Sequence, residues 1–280
     1  MKDSAITIRR MNRDDLNLAV AWAAGEGWNP GLHDADPFYA ADPNGFFVAE
    51  IHGEPVGIAS AVAYDDHFGF LGFYIVKEDL RYLGIGMKLC DALLEYMGGR
   101  VYGLDGVVAM LDKYVREMGV AIAHYNARYE GVGSPGEATL ADISSAPFDE
   151  LEQYDRRFFP APRTAFLQSW ISRPGSHGRI VRDGERLVGY GLIRPCHRGF
   201  KIAPLFADTP EIADHLFREL SGLAVGQPVF LDIPVCNEAA LQLVERHQMQ
   251  KVFETARVYH GAAPDLPLDR IYGITSFELG

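Results

Sequence analysis

The stretch Phe70-Leu71-Gly72-Phe73-Tyr74-Ile75-Val76, followed by Arg81-Tyr82-Leu83-Gly84-Ile85-Gly86, decides how this 280-residue chain is read. An apolar strand runs into a loop carrying Arg-x-x-Gly-x-Gly, and a helix is expected from Met87 to about Met97. That order builds a cradle for a pyrophosphate. Glycines let the backbone turn sharply and come close to a ligand. Successive N–H groups then line one concavity, and the helix N-terminus adds unpaired donors and partial positive charge. Arg81 adds a full charge.

Three glycine-loop patterns compete here. A nucleotide-triphosphate loop needs Gly-Lys-Ser/Thr, but Gly86 is followed by Met87-Lys88-Leu89. A dinucleotide fingerprint needs a third glycine, and Leu89 stands in its place. The remaining pattern, Gln/Arg-x-x-Gly-x-Gly/Ala after a strand, resembles the acetyl-coenzyme A loop of the GNAT (Gcn5-related) N-acetyltransferases. A helix-capping turn with incidental glycines is the plain alternative, and the surrounding sequence decides between them.

The first half reads in a definite order. Ile6–Ile8 forms a strand, and Asn12–Asp15 caps a helix reaching about Ala24. Residues 45–51 and 55–62 form a hairpin around His52-Gly53-Glu54. The strand 70–76, the loop and the helix 87–97 follow. A strand at about 101–104, a helix at about 108–118 closed by Gly119, and a strand from Val120 to about Arg128 complete the set. This is the order of a whole GNAT domain, so the resemblance covers residues 1–130.

Gly131-Val-Gly-Ser-Pro-Gly136 reads as a linker, taken as 131–141. In residues 142–280 the plan recurs. Gly184-Glu-Arg-Leu-Val-Gly189 echoes Gly53-Glu-Pro-Val-Gly57, and Phe200–Phe206 stands where 70–76 stood. A helix at about 210–223, a strand at 229–233 and an Asn237-x-x-Ala-x-x-Leu helix follow. Asp208-Thr-Pro-Glu-Ile-Ala213 has no glycine pair and puts two acids where a pyrophosphate would sit, and Asp208-Thr209 reads as a helix cap. The fold class expected is α/β (α+β), with two tandem GNAT-like domains, each a mixed, mostly antiparallel twisted sheet flanked by helices. The first half is expected to be active and the second degenerate.

Composition fits an ordinary globular protein, with 48% hydrophobic and 23% charged residues. No run approaches the ~20 apolar residues that span a bilayer, and the N-terminus has no apolar signal core. Three separated cysteines and scattered histidines argue against a disulfide framework or a metal site and fit a reducing cytoplasm. Net charge is 26 − 38 = −12. Such a surface repels nucleic acid. No nucleic-acid or membrane partner is expected, and an oligomer is possible.

The resemblance implies a set of roles. The backbone of Phe73, Tyr74, Ile75 and Val76 would pair with the pantetheine arm of acetyl-CoA, with one N–H facing the thioester oxygen. Gly72 would mark the bulge that splays this strand from the next. Arg81, Tyr82, Leu83, Gly84, Ile85, Gly86 and Met87 would hold the pyrophosphate. Tyr114, on the helix after the fifth strand, is the candidate general acid, although it lies five residues before Gly119 where the family has four. The family's usual Asn is missing, and Gly103-Leu-Asp105-Gly106 occupies that region. Candidate bases are Asp105, at the end of the fifth strand, and Asp65, Asp66 and His67; bulk water could also serve.

The acceptor site is expected at the Glu26–Gly31 loop. Trp28 is read there either as stacking on substrate or as anchoring the loop, and Asn29, Asp34 and Asp65 are the polar candidates. The apolar tail 270–280 is expected to pack, at the domain interface or beside the acceptor cleft. The function expected is transfer of an acetyl group from acetyl-CoA to a primary amine of a small or medium acceptor, by direct attack in a ternary complex. A non-catalytic acyl-CoA sensor and a protein lysine or N-terminal acetyltransferase stand as alternatives.

Overall fold

The computed structural model describes residues 6–136 and 138–280, with the backbone alone at positions 113 and 117. Residues 1–5 of the expected first domain and residue 137 of the expected linker lie outside the described residues. The first half runs β1 (Ile6–Arg10), α1 (Asp15–Gly25), α2 (Ala35–Ala41), β2 (Phe46–Ile51), β3 (Glu54–Ala63), β4 (Phe68–Val76), α3 (Ile85–Met97), β5 (Val101–Val107), α4 (Leu111–Met118) and β6 (Ala121–Val132). The second half runs β7 (Ala141–Asp142), α5 (Phe148–Asp155), α6 (Thr164–Ser172), β8 (His177–Asp183), β9 (Arg186–Pro195), β10 (Phe200–Ala207), α7 (Pro210–Ser221), β11 (Pro228–Pro234), α8 (Glu238–Arg246), β12 (Gln250–His260) and β13 (Ile271–Gly273).

Local chemistry accounts for the element ends. His52 (φ 54°) and Gly53 (φ 81°) both adopt left-handed conformations, which closes the two-residue β2–β3 hairpin with the twist its strands need. Gly119 (φ 63°) ends α4. Thr209 caps α7 through its side chain, with Pro210 in the first turn. Asn237 caps α8 by accepting from the Ala240 N–H, and its Nδ2 donates to the Ile271 carbonyl.

The strands of both halves form one continuous sheet in the order β1-β2-β3-β4-β5-β12-β6-β11-β10-β9-β8-β7, with β13 beside β10. Most neighbours are antiparallel, but β4–β5 and β10–β11 are parallel. The last strands of the halves are exchanged. β12, from the second half, pairs with β5, while β6, from the first, pairs with β11, and the two pair with each other. The halves are therefore joined through main-chain ladders as well as side chains.

One sheet face carries a core shared by both halves, where Phe38 of α2 stacks on Trp170 of α6 at 6.0 Å and meets Phe73 of β4 edge-on at 5.5 Å. The opposite face carries separate cores, under α3 and α4 in the first half and under α7 and α8 in the second. The tail after β12 lies on the shared face and is buried to its end, with Thr275 through Leu279 all at or below 9% exposure. Burial of Phe277 and Leu279, worth roughly 1.5–3 kcal/mol each, holds this segment against the core.

Candidate active site

The site begins where β4 and β5 part. Their parallel pairing ends at Leu71↔Leu104, and the ladder does not continue beyond it. On its other edge β4 is bulged against β3, because the register passes from Ile58↔Ile75 to Ser60↔Gly72 and leaves Phe73 and Tyr74 facing Ala59 alone. Phe73 holds φ 50° there, a conformation that costs a bulky residue energy and that a fold retains only where the surroundings enforce it. The Phe73 and Ile75 side chains are buried in the shared core, and Tyr74 and Val76 pack toward α3. The side chains thus fix a strand whose backbone edge opens into the cleft.

The chain then passes a short turn at Glu78–Leu80 and enters the glycine loop. Tyr82 (φ 68°) and Leu83 are exposed, as is Met87. Gly84 sits at φ 84° with open space where a Cβ would stand, so its need for glycine is conformational. Gly86 is needed for space, since a Cβ there would run into the Tyr74 hydroxyl. No side chain caps α3. The first-turn N–H groups of Ile85, Gly86 and Met87 therefore have no helical partner and point outward with the positive end of the helix dipole. The Arg81 guanidinium donates to the Val76 carbonyl at 3.0 Å and to Glu26 at 2.8 Å. Uncapped donors, an open left-handed glycine and a half-exposed arginine fit a pyrophosphate. Coenzyme A placed here would be held by residues 81–87 along the edge of β4.

The second half has the same scaffold without the site. β10 is bulged between Ile202 and Leu205, and the bulge contains Pro204, which has no N–H to offer. The cleft between β10 and β11 is filled by the protein itself. β13 pairs with β10 at Leu205↔Gly273 and Phe206↔Ile271, and the Ile274 N–H donates to the Asp232 carbonyl on β11. Asp208 is tied to Tyr154 and Arg157. An intramolecular strand thus lies where a pantetheine arm would lie in the first half.

The Tyr114 ring lies over Gly106 on β5, just beyond the parting of the strands, where any Cβ would meet the ring at 2.8 Å. Burial raises its phenol above the ordinary value, so it keeps its proton at neutral pH. Asp105 differs from the expected free base. Its side chain is fully enclosed, Arg257 of β12 grips it through Nε at 3.0 Å and Nη2 at 2.6 Å, and Asn126 of β6 donates to it at 2.8 Å. A carboxylate so engaged accepts three hydrogen bonds from β6 and β12 and serves to join the halves. Asp65 caps a turn, accepting from the His67 and Phe68 N–H groups at 2.8 and 2.7 Å.

The expected acceptor loop is used differently again. Asp34 is 1% exposed, bound by Arg173 and Arg194 and by the Gly31 N–H. Burial would raise its carboxyl, but the two guanidiniums outweigh burial and hold it below the usual range. Asn29 exchanges hydrogen bonds with the backbone of Arg198, at 3.0 and 2.8 Å. The Trp28 carbonyl accepts from Arg128, and its ring packs against the shared core. Asn29 and Asp34 therefore dock the α1–α2 loop onto β9, the β9–β10 turn and the residue after α6.

A residue that sequence reasoning missed is Glu278. A Cβ at Gly72 would run into the Glu278 carbonyl, and Tyr64 Oη donates to the Leu279 carbonyl at 2.8 Å. The tail thus lies directly against the parting of β4 and β5, on the α1–α2 side. A single acid inside the apolar run Ile274–Leu279 was the available signal. Among the described residues no cluster of His, Cys, Asp and Glu could hold a metal ion, and no helix is long and apolar enough to cross a membrane.

Comparison with known proteins agrees with this geometry. Residues 12–119 match the model of the acetyltransferase (GNAT) family, and residues 151–273 match that of an acetyltransferase (GNAT) domain. The holothin acyltransferase of Pseudoalteromonas sp. (strain SANK 73390) is 28% identical over 279 residues, covering 98% of this chain and 94% of that protein. Among solved structures, a putative acetyltransferase from Pyrococcus horikoshii superposes with a TM-score of 0.84 at 22% identity, covering 100% and 98% of the two chains. A tandem GNAT protein from the clavulanic acid biosynthesis pathway gives 0.64 at 12% identity, covering 93% and 100%. With both halves matched and the bulged strand, glycine loop and uncapped helix all in place, this chain belongs to the GNAT superfamily as a tandem-domain acyltransferase.

Proposed function

We propose that the chain transfers an acetyl group from acetyl-CoA to the primary amine of a small or medium acceptor, in a ternary complex at the first-half cleft. The reading rests on one observation: the uncapped N-terminus of α3 behind left-handed Gly84, following the bulged open edge of β4, occurs in the first half alone. The coenzyme would supply the activated thioester. The chain's own part is positioning and proton handling. The N–H groups of residues 84–87 and Arg81 hold the phosphates. The bulge at Phe73 and Tyr74 interrupts the ladder with β3, and a backbone N–H of this strand would face a carbonyl oxygen that gains charge. Tyr114 keeps a proton that it can give to the leaving sulfur.

A small acceptor is favoured because the α1–α2 loop is docked on the second half and the tail covers the open end of β4. Titration calorimetry with acetyl-CoA, followed by CoA release against a panel of primary amines, tests the reading. One site per chain with amine-dependent release is expected. Absence of binding would refute the cofactor, and binding without release from any amine would refute the transfer.

A further inference from the structure

Building on the transfer reading above, we propose that Glu278, carried by the C-terminal tail of the second half, is the general base that takes the proton of the acceptor amine. Three observations converge on it. Its backbone lies against Gly72, at the residue where β4 leaves β5 and beside the bulge of β4 against β3. It is 3% exposed, and no hydrogen bond to its carboxylate is seen among the described residues. Such a group is costly to bury unless something else occupies it. Finally, Ser60, directly opposite Gly72 on β3 and so on the same sheet face, has a buried hydroxyl without a partner. A buried hydroxyl without a partner and a buried acid beside one point of the cleft mark where a polar ligand group belongs.

The tail is built to hold this position. The Ser276 hydroxyl accepts from the N–H groups of Glu278 and Leu279 at 3.2 and 2.9 Å, and Gly280 N–H donates back to the Ser276 carbonyl. Phe277 lies under the Arg128 guanidinium at 5.0 Å. The charged groups acting on Glu278 are Arg128 of β6 and Arg194 of β9. Both guanidiniums are already engaged, Arg128 with Asp232 and Arg194 with Asp34. Tyr64, from the end of β3, binds the neighbouring Leu279 carbonyl. Arg257 of β12 and His124 of β6 line the adjoining cleft with Gly280.

The chemistry balances without a further reactant. A protonated acceptor first gives one proton to the Glu278 carboxylate, which releases it to solvent. The neutral nitrogen then forms its bond to the acyl carbon and gives its second proton to Glu278, the carbon–sulfur bond breaks, and the departing sulfur takes a proton from Tyr114, which regains one from solvent. The second half then contributes the base although it carries no coenzyme site of its own.

The test uses full-length protein, Glu278→Gln and Glu278→Asp, with two amine probes. Phenethylamine is protonated at neutral pH and needs a base, whereas hydroxylamine is largely neutral. Acetyl-CoA affinity and thermal melting report that the fold and coenzyme site are intact. Loss of a general base predicts that Glu278→Gln lowers phenethylamine-dependent CoA release about 100-fold and hydroxylamine-dependent release less than about tenfold. Glu278→Asp is expected to recover part of the difference. Equal loss with both amines, or no loss with either, would overturn the assignment while leaving transferase activity in place. Wild-type protein that binds acetyl-CoA but releases no CoA with either amine would overturn the transfer reading, and the role of Glu278 with it.

Discussion

Asp105 on β5 and Arg257 on β12 form a two-point ion pair at 3.0 and 2.6 Å that joins the halves beside the cleft. Arg257 also lies over the Phe70 ring at 4.8 Å. Removing one partner of an enclosed pair strands the other, at a cost of about 3–5 kcal/mol. Arg257→Ala is therefore expected to lower thermal stability strongly. Asp105→Asn, which preserves shape, is expected to keep turnover within about tenfold of wild type, since loss of a true general base costs about 100-fold or more. A 100-fold fall in a folded Asp105→Asn variant would restore Asp105 as the base.

Arg81 is held by Glu26 through a half-exposed pair at 2.8 Å. A bound pyrophosphate would compete for that guanidinium. Exposed pairs are worth about 0.2–1 kcal/mol, so Glu26→Gln is expected to tighten acetyl-CoA binding by up to about fivefold. Arg81→Ala is expected to weaken it about tenfold, through loss of a charged hydrogen bond worth about 1.5–3 kcal/mol. Calorimetric affinities check both, and weaker binding in Glu26→Gln would show that Glu26 positions Arg81 instead of restraining it.

Tyr114 lies over the β5 wall of the cleft, protonated at neutral pH. Tyr114→Phe is expected to lower turnover about 10- to 100-fold, with acetyl-CoA affinity little changed. Single-turnover CoA release separates the two effects, and an unchanged rate would remove Tyr114 as the acid.

Burial, with a further push from Arg257, lowers the His124 imidazole to about 4. The unfolded chain takes up this proton near the ordinary value of about 6.5, while the folded chain does not until about pH 4. Stability is thus fully present above about 6.5 and falls as pH drops toward 4. Melting temperatures between pH 7 and 5 are expected to decline in wild type and to flatten in His124→Gln. An equal decline in both would assign the slope to other groups.

Much of this was legible in the residues. Arg81-x-x-Gly84-x-Gly86 after an apolar strand disclosed the strand–loop–helix geometry because each part has a local cause, a left-handed turn at Gly84 and a close approach at Gly86. The repeated hairpin and helix order disclosed the second half. What stayed hidden is long-range. Strand periodicity tells which face a residue takes but not which strand lies beside it, so the exchange of β6 and β12 left no local mark. Asn29 and Asp34 looked like acceptor residues because Arg173 and Arg194, which bind Asp34, and the Arg198 backbone, which binds Asn29, lie more than 130 positions away. The tail read as packed from its apolar composition, but its place in both clefts depends on the fold of the whole chain.

The most direct measurement is the stoichiometry of acetyl-CoA binding by titration calorimetry, in wild type and in Gly84→Asp/Gly86→Asp. One site per chain, lost in the double variant while the melting curve shows a folded protein, is the result expected from an open first cleft and a second cleft filled by β13. Two sites per chain, or affinity unchanged in the folded double variant, would contradict it.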